Sequence, residues 1–254
     1  MTRLASPIAV ALAASVALLT PDVQSQGKPL PEGDAFYEEV RANLARSDRE
    51  QYRYAYRERR SELHTNPFGR IGTGGLLIFD VVPGPELGIY HRRLVERDGK
   101  PVTNQKLEVI DRRARGTGNR SIDDVVATLE FSVRGRETHG GRDTIVVDFA
   151  PKKDAKPKTR QGKIAKVFKG SVWIDEASRE VMRVDAISTD SMSYGGFIAR
   201  LGEGTRAQLE RERVGAVWLP TSIRLTGDGR ALLFRKLNVD YVIEWVDYRR
   251  VLDD

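Results

Sequence analysis

The sequence predicts a mainly β protein of the α+β class, built on one large antiparallel sheet with helices at its start and in two insertions. Three observations predict this. Apolar and polar residues alternate at period two through most of the chain, as in Val217, Leu219, Thr221, Ile223 and Leu225 against Trp218, Pro220, Ser222 and Arg224. Short turn sequences rich in Gly, Asp and Pro separate these runs and give about eleven strands. No linker or shift of composition divides residues 26–254, which points to a single domain. Strands of this kind bury one face and wet the other. An open sheet of such length must curl or split.

The elements follow in order. "MTRLASPIAVALAASVALLTPDVQSQ" has a basic start at Arg3, an apolar run from about Leu4 to Leu19, and small residues at Val23 and Ser25. That is the shape of a secretory signal peptide spanning 1–25 and cut near Ser25. The alternative is a membrane anchor, but the run is short of the roughly 20 apolar residues a bilayer core needs, and Pro21 and Asp22 close it. The chain has no cysteine, so it carries no lipidated cysteine at the cut and no disulfide. About 229 residues then have to be held by their own core.

In "AFYEEVRANLARSD" Phe36, Val40 and Leu44 fall four apart and line one helical stripe, with Asp34 as N-cap. "QYRYAYRERR" follows. Tyr52, Tyr54 and Tyr56 share one face at period two and Arg53, Arg57 and Arg59 the other, which fits a strand. Glu58, Arg60 and Glu62 continue the tyrosine face and are expected in solvent. "GGLLIFDVV" and "GIYHRRLVE" are strands about the turn "PGPEL". "VTNQKLEVIDRRAR" reads as a helix, and "SIDDVVATL" as a short one capped by Ser121. "LEFSVRGRE" and "RDTIVVDFA" form a hairpin around "THGG", and "KIAKVFKG" supplies one or two helical turns. "GSVWIDEASREVMRVDAIS" holds two strands joined at "DEASR". "GGFIARL", "TRAQLERERV", "AVWLPTSIRLT", "RALLFRKL" and "VDYVIEWVDYR" complete the series, with Asp228-Gly229 as a hairpin signal.

No grouping of residues carries a catalytic signature. His64, His91 and His139 sit on different elements, with no HxH or HxxxH spacing to suggest a metal site. Asp80, Asp148, Asp175, Asp185 and Asp247 read as polar halves of strand alternation. Gly72, Gly74 and Gly75 precede a strand, so no helix N-terminus stands ready for a phosphate. No enzyme activity, metal or cofactor is expected. The formal charge of +6 is concentrated in "PKKDAKPKTRQGK", where six basic residues face one acidic. Export argues against a nucleic-acid partner. From the pattern alone, helices on a curled sheet either pack solidly or enclose an apolar cavity that binds by burial.

Several stretches resemble a known superfamily. "GSVWIDEASREVMRVDA" is similar to the G-x-x-W-I-D hairpin of periplasmic lipoprotein-carrier proteins of the LolA/LolB/RseB-like kind. "YRYAYRER", "YHRRLVERDGKPV", "VVDFAPK", "RVGAVWLPTSIRL" and "DGRALLFRK" resemble exported members described as outer-membrane lipoprotein-sorting proteins, in order across about 50–250. The resemblance implies an unclosed antiparallel β-barrel of about eleven strands, capped by helices around a hydrophobic cavity. It also implies a periplasmic protein that binds lipoprotein acyl chains or other lipids, as carrier or sensor. An alternative from the same superfamily is an envelope protein that binds or senses another protein without transferring lipid. That arrangement would carry a second small domain, and this sequence ends at Asp254 directly after its last strand.

Two groups of residues are candidates for a site. Tyr52, Tyr54 and Tyr56 share the inner face of the first strand and either line the cavity or belong to ordinary core. Lys152, Lys153, Lys156, Lys158, Arg160 and Lys163 lie between a strand and a short helix. They either dock the protein on an anionic membrane or a partner, or form a solvated, mobile connection.

Overall fold

The structure, a computed structural model, describes residues 28–31, 33–61, 70–71, 75–111, 119–194, 199–231 and 235–251. The leader 1–25, Glu62, His64, Gly72 and Gly74 lie outside the described residues. No helix among those described is long and apolar enough to cross a membrane.

Helix α1 (Asp34–Gln51) comes first, followed by β1 (Tyr54–Ser61), β2 (Arg70–Ile71), β3 (Leu76–Pro83), β4 (Ile89–Arg97), β5 (Lys100–Pro101) and β6 (Glu108–Asp111). Next are α2 (Asn119–Thr128), β7 (Leu129–His139), β8 (Arg142–Pro151), α3 (Arg160–Ala165), β9 (Phe168–Asp175) and β10 (Val181–Ser188). The chain continues through β11 (Met192–Tyr194), β12 (Ala199–Leu201), β13 (Arg206–Val214), β14 (Val217–Ala231) and β15 (Arg235–Arg250). These strands form one sheet. Eleven of them make a continuous path, β5-β4-β3-β1-β15-β14-β13-β10-β9-β8-β7. Every step on it is antiparallel; β2 adds a short parallel pairing to β15. The path ends on β5 and β7, which are not paired with each other, so the sheet is unclosed.

The two faces follow the period-two pattern. On the wet face, Arg183 meets Asp185 at 2.6 Å and Glu210 at 3.1 Å, Arg224 meets Asp240 at 3.1 Å, and Arg57 meets Asp80 at 3.3 Å. Such exposed pairs stabilise by only about 0–1 kcal/mol each, but they answer why arginines alternate with tyrosines in the first strand. The buried face holds two large clusters. Tyr52, Tyr56, Phe79, Val81, Tyr90 and Trp245 fill one, on the β1, β3, β4 and β15 side. Phe36 and Val40 of α1 pack on Ile145, Val147, Ile174 and Val181 in the other.

The structure departs from the sequence expectations at several places. Tyr52 is the C-cap of α1, and the strand begins at Tyr54. Gly33, at φ 82°, is the N-cap of α1, with Asp34 in the first turn. Glu58 is buried rather than solvated. It meets Arg92 at 3.3 Å and Arg60 at 3.6 Å, and both guanidinium groups stack on Phe79 at 4.5 Å. A charge-paired platform thus replaces solvent there. The segment expected as a helix near Glu108 is instead β6, paired to β4 from Ile89↔Asp111 to Arg92↔Glu108. Ile110 is buried and its neighbour Val109 exposed, a period of two that pairing with β4 enforces over helix propensity. Helix α2 is described from Asn119 onward, so Ser121 lies within the helix rather than at its cap.

Asp228-Gly229 is not a turn. Strand β14 runs through it, in register with β15 from Ser222↔Glu244 to Ala231↔Arg235, so "RALLFRKL" is divided between two strands. The glycines serve close approach instead: the Gly202 amide donates to the Asp228 carbonyl at 2.6 Å, and a side chain at Gly227 would overlap Thr205.

Candidate functional site

An apolar pocket of about 650 Å³ lies between the three helices and the β7–β10 and β13–β14 part of the sheet. Helix α1 supplies one wall. Tyr37, Val40, Leu44, Ser47 and Gln51 recur every three or four residues and line the pocket along about 20 Å, at about 1.5 Å rise per residue. The opposite wall is a ladder of inward residues. Val147, Val172, Val184 and Leu209 stand in register across β8, β9, β10 and β13.

The next row explains why there is space. Phe149, Gly170, Ala186 and Ala207 are cross-strand partners on the same four strands. Three adjacent positions without a large side chain leave room that solid packing would otherwise fill. Gly170 has a backbone reason too, since a Cβ there would overlap the Asp185 carbonyl.

Helices α2 and α3 border the pocket through Ile122, Val125, Ile164 and Ala165. Ile164 is also exposed, which puts α3 at the rim. The two helices are joined by Asp124, which accepts from the Thr159 hydroxyl at 2.7 Å and from the Thr159 and Lys158 amides. The Thr159 hydroxyl bond, followed by the two amides, lowers the Asp124 pKa. Thr159 in turn caps α3 by accepting from the Gly162 amide at 3.0 Å. Arg41 bridges α1 to α2, bonding Glu38 at 2.7 Å and Asp123 at 2.6 Å.

The polar end of the pocket is at the last turn of α1. Arg211, only 7% exposed, lines it and donates to the Val181 and Trp218 carbonyls at 3.0 and 2.8 Å. Its charge partner is Glu180, 3% exposed, at 3.6 Å. Burial lowers the Arg211 pKa against the pull of Glu180 and Asp48, yet a guanidinium stays protonated. Glu180 also accepts from Arg46 at 3.0 Å and Ser47 at 3.2 Å, which fastens α1 to the sheet. Gln51 completes this end. It is 7% exposed, and its Nε2 is buried without a hydrogen-bond partner among the described residues.

The candidates read from sequence fall elsewhere. Tyr52, Tyr54 and Tyr56 are buried, but none is among the pocket's lining residues. Tyr52 and Tyr56 pack on Tyr90 at 5.7 and 5.9 Å, and Tyr54 and Tyr56 on Tyr248 at 6.3 and 5.4 Å, so they fill the neighbouring core. Lys152, Lys153, Lys156, Lys158, Arg160 and Lys163 are all exposed. Their segment is not a loose connection: the Lys152 amide donates to the Thr128 carbonyl at 2.9 Å, and Asp124 holds Lys158 and Thr159. Arg160 and Lys163 share α3 with the pocket residues Ile164 and Ala165.

The acidic residues hold structure together. Asp175 is buried; burial alone would raise its pKa, but Arg142 at 2.5 Å and Ser178 outweigh that and lower it. Glu176 bonds Arg136 at 2.6 Å and Lys28 at 3.1 Å, and is lowered to about 2, chiefly by Arg136. Asp148 accepts from Ser171 at 2.6 Å, and Asp247 lies 3.8 Å from Arg57. His139 faces Glu210 at 3.4 Å. Among the described residues, no group of three or more His, Asp or Glu is placed to hold a metal ion.

Sequence reasoning missed the pocket's walls. The available signal was the small row, Gly170, Ala186 and Ala207, on inward positions of three strands that otherwise carry large apolar residues. Its meaning depends on register, which sequence does not show.

No protein-family model matches the chain, and no curated protein matches it in sequence. Solved structures similar to it include an outer membrane lipoprotein-sorting protein domain from Vibrio parahaemolyticus, at 12% identity and TM-score 0.36, covering 84% of this chain and 92% of that one. A LolA superfamily protein from Nitrosomonas europaea is 11% identical at TM-score 0.33, covering 82% and 94%. The MucA/MucB complex of Pseudomonas aeruginosa gives 10% identity and TM-score 0.28, over 82% and 94%. Identities and scores this low carry no argument about function.

Proposed function

We propose that the chain is an exported, periplasmic protein that holds an acyl chain of a lipid or lipoprotein in the pocket under α1, as a carrier or sensor. The observation that carries this reading is the pocket itself: about 650 Å³, walled by aligned Val, Leu and Ala side chains. That volume falls within the roughly 300–1,000 Å³ usual for ligand sites. Its length of about 20 Å along α1 exceeds the roughly 15 Å that half a bilayer's hydrocarbon core gives one chain.

Burying a methylene yields about 0.8 kcal/mol, in a protein pocket or in a bilayer. Exchange of a chain between the two is therefore close to neutral in its apolar part, as a reversible carrier requires. The six exposed cations from Lys152 to Lys163 lead into α3 at the rim, where they hold the protein near an anionic surface.

The test is to purify the full chain from its native envelope and extract it for lipids, and to titrate the emptied protein with a fluorescent acyl probe. Co-purifying acyl species and saturable uptake are the expected results. A protein that carries no acyl species and takes up no probe would leave this reading without support. A stoichiometric protein partner bound to an empty pocket would favour the protein-sensing alternative.

A further inference from the structure

The two ends of the sheet are finished differently. At one end β5 is only Lys100 and Pro101, and β6 shares the same side of β4. A lysine, a proline and short strands are ordinary means of keeping a sheet edge from pairing. At the other end β7 is eleven residues long and contains neither lysine nor proline. Among the described residues, no strand pairs with its outer side. One hydrogen bond fixes which main-chain groups point that way. The Lys152 amide donates to the Thr128 carbonyl at 2.9 Å, in the register that sets Leu129 against Pro151, so position 128 faces β8. Alternation then turns the main-chain groups of Glu130 and Ser132 toward β8 and those of Leu129, Phe131 and Val133 to the open side. A bulge between Val133 and Gly135 ends this regular stretch.

We infer that β7 pairs with β7 of a second copy of this chain, antiparallel about a twofold axis at Ser132, as a weak and reversible homodimer. Glu130, Ser132 and Arg134 are exposed. Arg134 meets Glu137 at 3.2 Å and Asp148 at 3.3 Å with 44% of its side chain still exposed, whereas Glu130 meets no cation among the described residues. About Ser132, Glu130 of each copy stands opposite Arg134 of the other, so the strand is its own charge complement. Phe131 then faces Val133, and the main-chain groups that these two residues turn outward bond across the axis. Moving the axis to Phe131 would set Glu130 opposite Ser132 and Arg134 opposite Thr128, leaving both charges unanswered. The contact is one strand wide, short of the roughly 1,200 Å² of a stable complex, which is why it is reversible. The inference is independent of what the pocket holds.

The experiment is sedimentation equilibrium of the full chain from about 1 to 500 μM, where a monomer–dimer equilibrium is expected. Ser132→Lys changes an exposed side chain and sets like charges face to face on the axis. It is expected to weaken association about three- to tenfold while leaving the melting temperature unchanged. The chain has no cysteine, so Ser132→Cys places a single thiol on the axis, close to its own copy. Mild oxidation should join two copies of that variant, and should leave Glu130→Cys, whose thiol lies off the axis, largely unjoined. A wild type that stays monomeric throughout overturns the inference. So does association that Ser132→Lys leaves untouched, or cross-linking as ready at position 130 as at 132.

Discussion

Glu180 is the point at which α1 is fastened to the sheet, so removing it is expected to be among the costliest single changes in the protein. Its carboxylate accepts from Arg46 and Ser47 of α1 and faces Arg211 of β13, while only 3% of the residue is exposed. In Glu180→Ala, Arg211 remains buried with two carbonyls and, of its two acidic neighbours, only Asp48. Breaking one side of a buried ion pair costs about 3–5 kcal/mol. At about 2–4 °C per kcal/mol for a chain of this size, the melting temperature drops by roughly 6–20 °C. Arg211→Met, by contrast, leaves Glu180 with Arg46, whose side chain is 58% exposed and can bring solvent to the pair. The double variant is therefore expected to lose less than the sum of the singles, with a coupling of about 1–3 kcal/mol. Urea unfolding of the four proteins, followed by circular dichroism, measures this. If Glu180→Ala costs under about 1 kcal/mol, or the two changes simply add, the fastening is assigned to the wrong group.

Three further outcomes follow from the same structure. Gly170→Ala places a methyl against the Asp185 carbonyl and is expected to cost about 1–3 kcal/mol or more in urea unfolding, whereas the open position Gly204 has a positive φ and no such overlap. Glu176 has its pKa lowered from 4.5 to about 2, so its contribution is whole above pH 4.5 and is lost as pH falls toward 2. Glu176→Gln should therefore flatten that part of the stability–pH curve measured by urea titration. Replacing Lys152, Lys153, Lys156, Lys158, Arg160 and Lys163 together by Gln should abolish co-sedimentation with anionic vesicles at low salt while leaving the melting temperature unchanged; equal sedimentation would remove the docking role.

The strands were legible because their chemistry is local. "LEFSVRGRE", "RDTIVVDFA" and "GSVWIDEASREVMRVDA" show their period, and their turns carry Gly or Asp, so β7 to β10 form where the pattern places them. The stripe of Phe36, Val40 and Leu44 likewise identifies α1. What was not legible depends on distant residues. Asp228-Gly229 has the composition of a turn, yet stays extended in its pairing with β15, and the Gly202 amide donates to the Asp228 carbonyl. Glu58 has the composition of a surface residue, yet is buried by Arg92 and Arg60. Tyr52, Tyr54 and Tyr56 are all buried, though Tyr52 caps α1 rather than joining the strand, and the vacant space lies on other strands, where Gly170, Ala186 and Ala207 come into register. The Glu180–Arg211 pair was invisible for the same reason: its partners are 31 positions apart, and one is charged where alternation predicts an apolar side chain.

The central claim is that the pocket under α1 takes a hydrocarbon chain, and chain length tests it most directly. Calorimetric titration with methyl esters from octanoate to hexadecanoate should show affinity rising about fourfold per added methylene, equivalent to about 0.8 kcal/mol each, until the chain fills the pocket and the rise stops. Affinity independent of chain length, or no binding at any length, would contradict it.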